Sequence, residues 1–185
     1  MQKRPERIIL GIDPGTTLMG YGVIKASGKT PEFVALDVVD LRRVGDHYMK
    51  LRKIYESTVA LMEKFLPDEV AFEAPFYGKN VQSMLKLGRA QGVAMAAVLS
   101  RDIPVFEYAP RKIKLSITSA GDASKEQVAG MLMRMFDLKE MPKNLDATDG
   151  LAAAVCHFYQ KGIEMSKSGS GSWEDFIRKN PGRIK

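Results

Sequence analysis

The chain carries one cysteine in 185 residues. That lone residue, Cys156, excludes an internal disulfide framework and suits a reducing compartment, and its setting on an apolar helical segment points to core packing. A Cys156–His157 nucleophile pair is disfavoured, because neighbours on a helix project about 100° apart. No apolar stretch approaches the roughly 20 residues of a membrane span, and MQKRPER at the N-terminus has no apolar signal core, so a cytoplasmic protein is expected. Internal repeats are also missing. At this length a second large domain does not fit, while a single core is large enough to form without disulfides or structural metal.

What is present begins with charge. The net charge is +6, which favours an anionic partner, yet residues 161–185 hold six basic and three acidic groups and supply much of it. Local clusters are more informative than the total. Lys79, Lys86 and Arg89 form one group, and Arg111, Lys112, Lys114 and Lys125 another. Either could be a solvated helix face or a nucleic-acid contact.

Residues 7–13, 20–26 and 32–41 read as consecutive strands joined as a meander, rich in Val, Ile and Leu and broken by Pro-Gly, Gly and SGKTP turns. Helical spacing of apolar residues follows over 46–66 and ends at Pro67. A strand over 69–74, a helix over 80–100, a strand over 103–108 and helices near 110–118, 124–137 and 145–163 complete the pattern. Five strands with later helix–strand alternation predict an α/β protein built on a mixed sheet with crossover connections. In the helix at 80–100, Gly88, Gly92 and Ala96 leave a stripe of small residues, open to close approach by the protein's own sheet or by a second subunit. After about Gly162 the composition turns to SKSGSGS and then WEDFIR. A core domain over 1–162 and a flexible basic tail over 163–185 are expected, with Trp173, Phe176 and Ile177 able to dock on the core or on a partner.

Four carboxylates stand out. Asp13 ends an apolar run at a Pro-Gly turn, Glu73 ends another just before Pro75, and Asp146 and Asp149 open an alanine-rich helical segment. A spacing of three puts the last two on one helix face, near an N-terminus that favours anions. Singly, each has an ordinary explanation: Asp-Pro-Gly suits a turn and Asp146 a helix cap. Together they suggest a site for Mg²⁺ or Mn²⁺, which prefer carboxylate oxygens, and paired ions suit phosphoryl displacement. Phe76 falls in an expected loop next to Glu73 and Lys79, either as core filler or as a stacking surface for a base. His157 lies about 16 Å along the helix from Asp146, too far to share an ion with it.

GIDPGTTLMGYGVI, AFEAPFYGKNVQSMLKLGRAQGVAMAAV, PVFEYAPRKIK with GDASKEQV, and LDATDGLAAAVCH occur in that order over roughly residues 7–160. In these motifs the chain resembles the RuvC family of Holliday-junction resolvases, which have a ribonuclease H-like fold. The resemblance implies that Asp13, Glu73, Asp146 and Asp149 are the catalytic acids and the ligands of two Mg²⁺ ions, with Mn²⁺ able to substitute. It also implies that Phe76 is a wedge at the junction and that Lys114 and Lys125 contact phosphate. Further implications are a homodimer, symmetric nicks that leave 5′-phosphates, a thymine-rich cleavage step, and cooperation with the RuvA–RuvB branch-migration machinery in recombination and repair. Two alternatives remain at this level. GIDPGTT is also similar to the first phosphate loop of the actin and sugar-kinase superfamily, whose second lobe does not fit in this length, and a junction binder with purely structural acids is the other.

Overall fold

The structure is a computed structural model that describes residues 6–75 and 80–167, with side chains described as far as Gln160. Phe76 and nearly all of the expected tail lie outside the described residues.

Strands β1 (Arg7–Asp13), β2 (Leu18–Ser27) and β3 (Thr30–Asp40) form the antiparallel meander. Helix α1 (His47–Phe65) crosses over to β4 (Glu69–Glu73), which pairs parallel with β1. Helix α2 (Val81–Leu99) then leads to β5 (Val105–Tyr108), parallel to β4. The resulting order, β3-β2-β1-β4-β5, is a mixed five-stranded sheet. Helices α3 (Pro110–Thr118), α4 (Lys125–Met135) and α5 (Asp146–Lys167) complete the chain.

Local chemistry sets the boundaries. The Asp46 carboxylate accepts from the Met49 N–H and starts α1, while Leu66 turns left-handed at φ 47° and ends it. Strand β5 is shorter than the expected 103–108, because Pro104 has no N–H for the ladder; its carbonyl still accepts from Val70. A reciprocal capping box between Ser124 and Gln127 starts α4. Helix α5 runs on to Lys167, past the composition change at Gly162.

Strand alternation divides the interior into two layers. Leu10, Ile12, Val23, Val70 and Phe72 face α1 and α2. Ile9, Ile24, Ala71 and Tyr108 face α5, with α3 and α4 beyond it. Residues 151–158 of α5 are all buried, so this helix is the spine of the second layer, and each fully buried Leu or Val contributes roughly 1.5–3 kcal/mol.

Candidate active site

Alternation also places the acids. Odd-numbered residues of β1 and β4 face α5, so Asp13 and Glu73, at the C-terminal ends of adjacent parallel strands, emerge side by side one residue beyond the Ile12–Phe72 pair. The first turn of α5 carries Asp146 and Asp149 over the same edge. This approach requires glycine. A Cβ on Gly11 would lie 2.0 Å from the Gly150 carbonyl oxygen, and one on Gly20 would lie 1.9 Å from that of Asp146. Either side chain would lift the helix, and with it two acids, off the sheet. The turn after Asp13 is anchored as well: Leu41 N–H donates to the Thr17 carbonyl at 2.9 Å and Lys50 Nζ to that of Thr16 at 3.2 Å.

The carboxylates are crowded and short of positive charge. Burial, then repulsion from Asp149 and Asp146, pushes Asp13 up to about 7, with only Lys125 opposing the shift. Glu73 is pushed up to about 8 by burial first, then by Asp13 and Asp149. Asp149 is also raised, chiefly by burial, despite its hydrogen bond to Lys125. The ammonium of Lys125 donates to Asp146 Oδ1 and, at 2.6 Å, to Asp149 Oδ2. Burial alone would lower the pKa of Lys125, but its bonds to Asp146 and Asp149 outweigh that and hold the group above the usual lysine range.

Asp13, Glu73, Asp149, Lys114 and Lys125 line a cavity of about 390 Å³ roofed by Pro110, Ile113, Val128 and Ala152. A smaller one of about 210 Å³ adjoins it on the Pro14–Pro75–Leu87 side of Asp13 and Glu73. A larger hollow of about 450 Å³ between α3 and α4 contains none of the four acids, so the charged cavity is the candidate site. The donor set consists entirely of carboxylate oxygens, and among the described residues no cation is bonded to Asp13 or Glu73, so these residues fit a hard divalent ion. They are not yet gathered around one. Among the described residues no three acid, histidine or cysteine side chains form a ready metal-binding set, and Lys125 is bonded to Asp146 and Asp149.

The structure thus brings together all four predicted acids with Lys114 and Lys125, while Phe76 lies outside the described residues. His157 is remote from them, as its spacing predicts: buried in α5, its Nδ1 is 2.7 Å from the Tyr108 hydroxyl and its Nε2 2.9 Å from Glu69 Oε2. Cys156 is buried in the same layer, and burial pushes its thiol up, consistent with packing rather than nucleophilic chemistry. Sequence reasoning missed the pairing of Lys125 with the acids; the one signal for it was a lysine opening α4 directly after a capping serine. It also missed Gly11 and Gly20.

A mixed five-stranded sheet in this order, with acids at the ends of β1 and β4 and at the start of a helix packed on that face, defines a nuclease of ribonuclease H-like fold. The family model for RuvC, the crossover junction endodeoxyribonuclease, matches residues 9–157. The Bacteroides fragilis crossover junction endodeoxyribonuclease RuvC is 62% identical over the full length of both chains, and that of Porphyromonas gingivalis 56% identical over 97% of this chain and 98% of its own. Among solved structures, T. thermophilus RuvC in complex with Holliday junction substrate superimposes with a TM-score of 0.77 at 30% identity, covering 84% of this chain and 95% of that one. The chain belongs to the RuvC family of crossover junction endodeoxyribonucleases, phosphodiester hydrolases of DNA recombination and repair. Among the described residues, no helix is long and apolar enough to cross a membrane.

Proposed function

We propose that this protein binds four-way DNA junctions as a homodimer and nicks two opposed strands symmetrically, using Asp13, Glu73, Asp146 and Asp149 to hold two Mg²⁺ ions. The observation that carries this reading is the convergence of Asp13, Glu73 and Asp149 on one cavity lined also by Lys114 and Lys125, with Asp146 joined to it through the Lys125 ammonium. When bound, the ions would supply Lewis-acid activation of water and stabilisation of the departing 3′-oxygen. Asp13 is raised by the charges of Asp149 and Asp146 and itself raises Glu73, a coupling that suits a ligand shared by both ions. Lys114, half-buried in the wall, faces the cavity without an ion-pair partner among the described residues and is placed to hold a phosphate beside the acids.

The outer face of α2 supports the dimer. Val81, Leu85 and Leu99 are exposed there, and a Cβ at Gly88 or Gly92 would meet nothing within 4 Å. The small-residue stripe is therefore turned away from the protein's own sheet, leaving the second subunit as its partner. Phe76 as a wedge, the tail beyond the nuclease domain and cooperation with RuvA–RuvB belong to the same proposal on the strength of family resemblance.

A synthetic junction labelled on each strand tests the central claim. Paired nicks at symmetric positions are expected in Mg²⁺ or Mn²⁺, binding without efficient cutting in Ca²⁺, and no cutting in chelator. Comparable nicking in Ca²⁺ and Mg²⁺ would refute the two-metal assignment.

A further inference from the structure

Lys125 Nζ bridges Asp146 and Asp149 across the first turn of α5. It reaches them from the first residue of α4, a helix fixed by its capping box. Asp149 is largely buried, with 15% of its side chain exposed, whereas Lys125 retains 41%. The ammonium is thus the only cation bonded to the acid cluster among the described residues, and it has solvent on its other side. It also lines the same cavity as Lys114. Lys125 holds one oxygen of each carboxylate, Asp146 Oδ1 and Asp149 Oδ2, and a divalent ion drawn to the same two carboxylates would sit close to the ammonium, where the two cations repel strongly.

We propose that Lys125 is the resident counter-ion of the metal-free site and is exchanged for the divalent ion on loading, so that it sets the site's metal affinity and becomes free for phosphate only once metal is bound. The inference rests on the four acids being the metal ligands. Through the exchange, a site crowded with carboxylates folds without metal, and the cation that neutralises it is released into the cleft when DNA is to be held. Metal loading and phosphate binding are then coupled through one side chain, and the coupling is reciprocal.

Mn²⁺ binding to the chelator-treated full-length protein, without DNA, is the test, with bound ion counted by loss of the free Mn²⁺ paramagnetic resonance signal. Lys125→Met should bind Mn²⁺ at least tenfold more tightly than wild type, and Lys125→Arg, which keeps the competing charge, within about threefold of it. Lys114→Met removes a charge from the same cavity without removing an ion pair seen among the described residues, so it should gain no more than threefold. Equal gains for Lys114→Met and Lys125→Met, or no gain for either, would overturn the exchange. An Asp146→Asn/Asp149→Asn protein that still binds Mn²⁺ like wild type would instead overturn the ligand assignment. Should Lys125→Met fail to fold, lysine-¹⁵N spectra of wild type remain decisive. The Lys125 ammonium signal should be protected from exchange in chelator and disappear with saturating Mg²⁺, and its persistence there would overturn the proposal.

Discussion

Two polar clusters share β1, β4 and α5 and differ in whether their charges are matched. The acid cluster takes Asp13, Glu73, Asp146 and Asp149 from one end of these elements. The other takes Arg7, Glu69 and His157 from further along. There, Arg7 Nη1 donates to both Glu69 oxygens at 3.0 and 2.8 Å, and Glu69 also pairs with His157 Nε2. An ionised Glu69 can only accept, so His157 Nε2 donates to it, while Nδ1 pairs with the Tyr108 hydroxyl. The His157 ring lies 4.2 Å from that of Phe106, centroid to centroid. In this cluster acceptor meets donor at each bond, whereas at the acid end Asp13 and Glu73 face other acids. Matched burial makes a scaffold; unmatched burial leaves a site that a cation can complete.

The largest test of this contrast is activity. Asp13→Asn, Glu73→Gln, Asp146→Asn or Asp149→Asn should each reduce junction cleavage by about a thousandfold or more, because a ligand charge is removed where it is needed in the reaction. Binding should persist or tighten, since less negative charge faces phosphate. Gel cleavage and fluorescence binding on one preparation separate the two effects. A fully active Asp13→Asn protein, free of wild type, would remove Asp13 from the site.

At the matched end the outcome should reverse. Glu69→Ala leaves Arg7 and His157 facing a void and should cost about 3 kcal/mol, lowering the melting temperature by roughly 6–12 °C for a chain of this size. Cleavage well below the melting point should stay close to wild type. If Glu69→Ala instead abolished cutting while melting normally, the two clusters would be one functional unit and the contrast would fail.

Much of this was legible in the sequence. The apolar runs over 7–13 and 69–74, the helix stop at Pro67, and the three-residue spacing of Asp146 and Asp149 are local signals, and they set the elements and the shared face of the last two acids. Glu69 carried no such signal. It sits 62 positions from Arg7 and 88 from His157, and only the closed sheet makes them neighbours. Lys125 and Asp146 are likewise 21 apart, across the turn from α4 to α5. Gly11 and Gly20 read as ordinary strand glycines until α5 is seen lying on them. Pairings that depend on how layers close are not written in spacing.

Mismatch at the acid end should also appear as a pH effect on the metal-free protein. Asp13 rises from an ordinary 3.8 to about 7 in the folded protein, and Glu73 from 4.5 to about 8. An acid with a raised folded pKa opposes folding once it ionises, so the penalty from these two groups is absent below about pH 4 and grows as pH climbs to about 8. Thermal melts in chelator over pH 5–9 should show the resulting decline. Asp13→Asn should flatten it and stabilise the metal-free protein at pH 8 by on the order of 1–3 kcal/mol, and saturating Mg²⁺ should do the same for wild type. A flat wild-type profile in chelator would mean that the acids are already compensated.

The smallest expected effect concerns the two lysines at the unmatched end, whose charge should serve phosphate once a divalent ion is bound. Junction titrations at several salt concentrations in Ca²⁺, which permits binding without efficient cutting, measure this as the slope of log affinity against log salt. Removing one lysine–phosphate interaction should reduce that slope by about 0.9 under duplex-like counterion release, and in a symmetric dimer each mutation removes two. Lys114→Ala should show the reduction both in Ca²⁺ and in chelator, because no ion pair among the described residues holds its ammonium back. Lys125→Ala should show it in Ca²⁺ alone, since without a divalent ion Lys125 is engaged by Asp146 and Asp149. Equal slopes for both variants in both conditions would place the two lysines in the same role, and unchanged slopes throughout would remove both from the DNA.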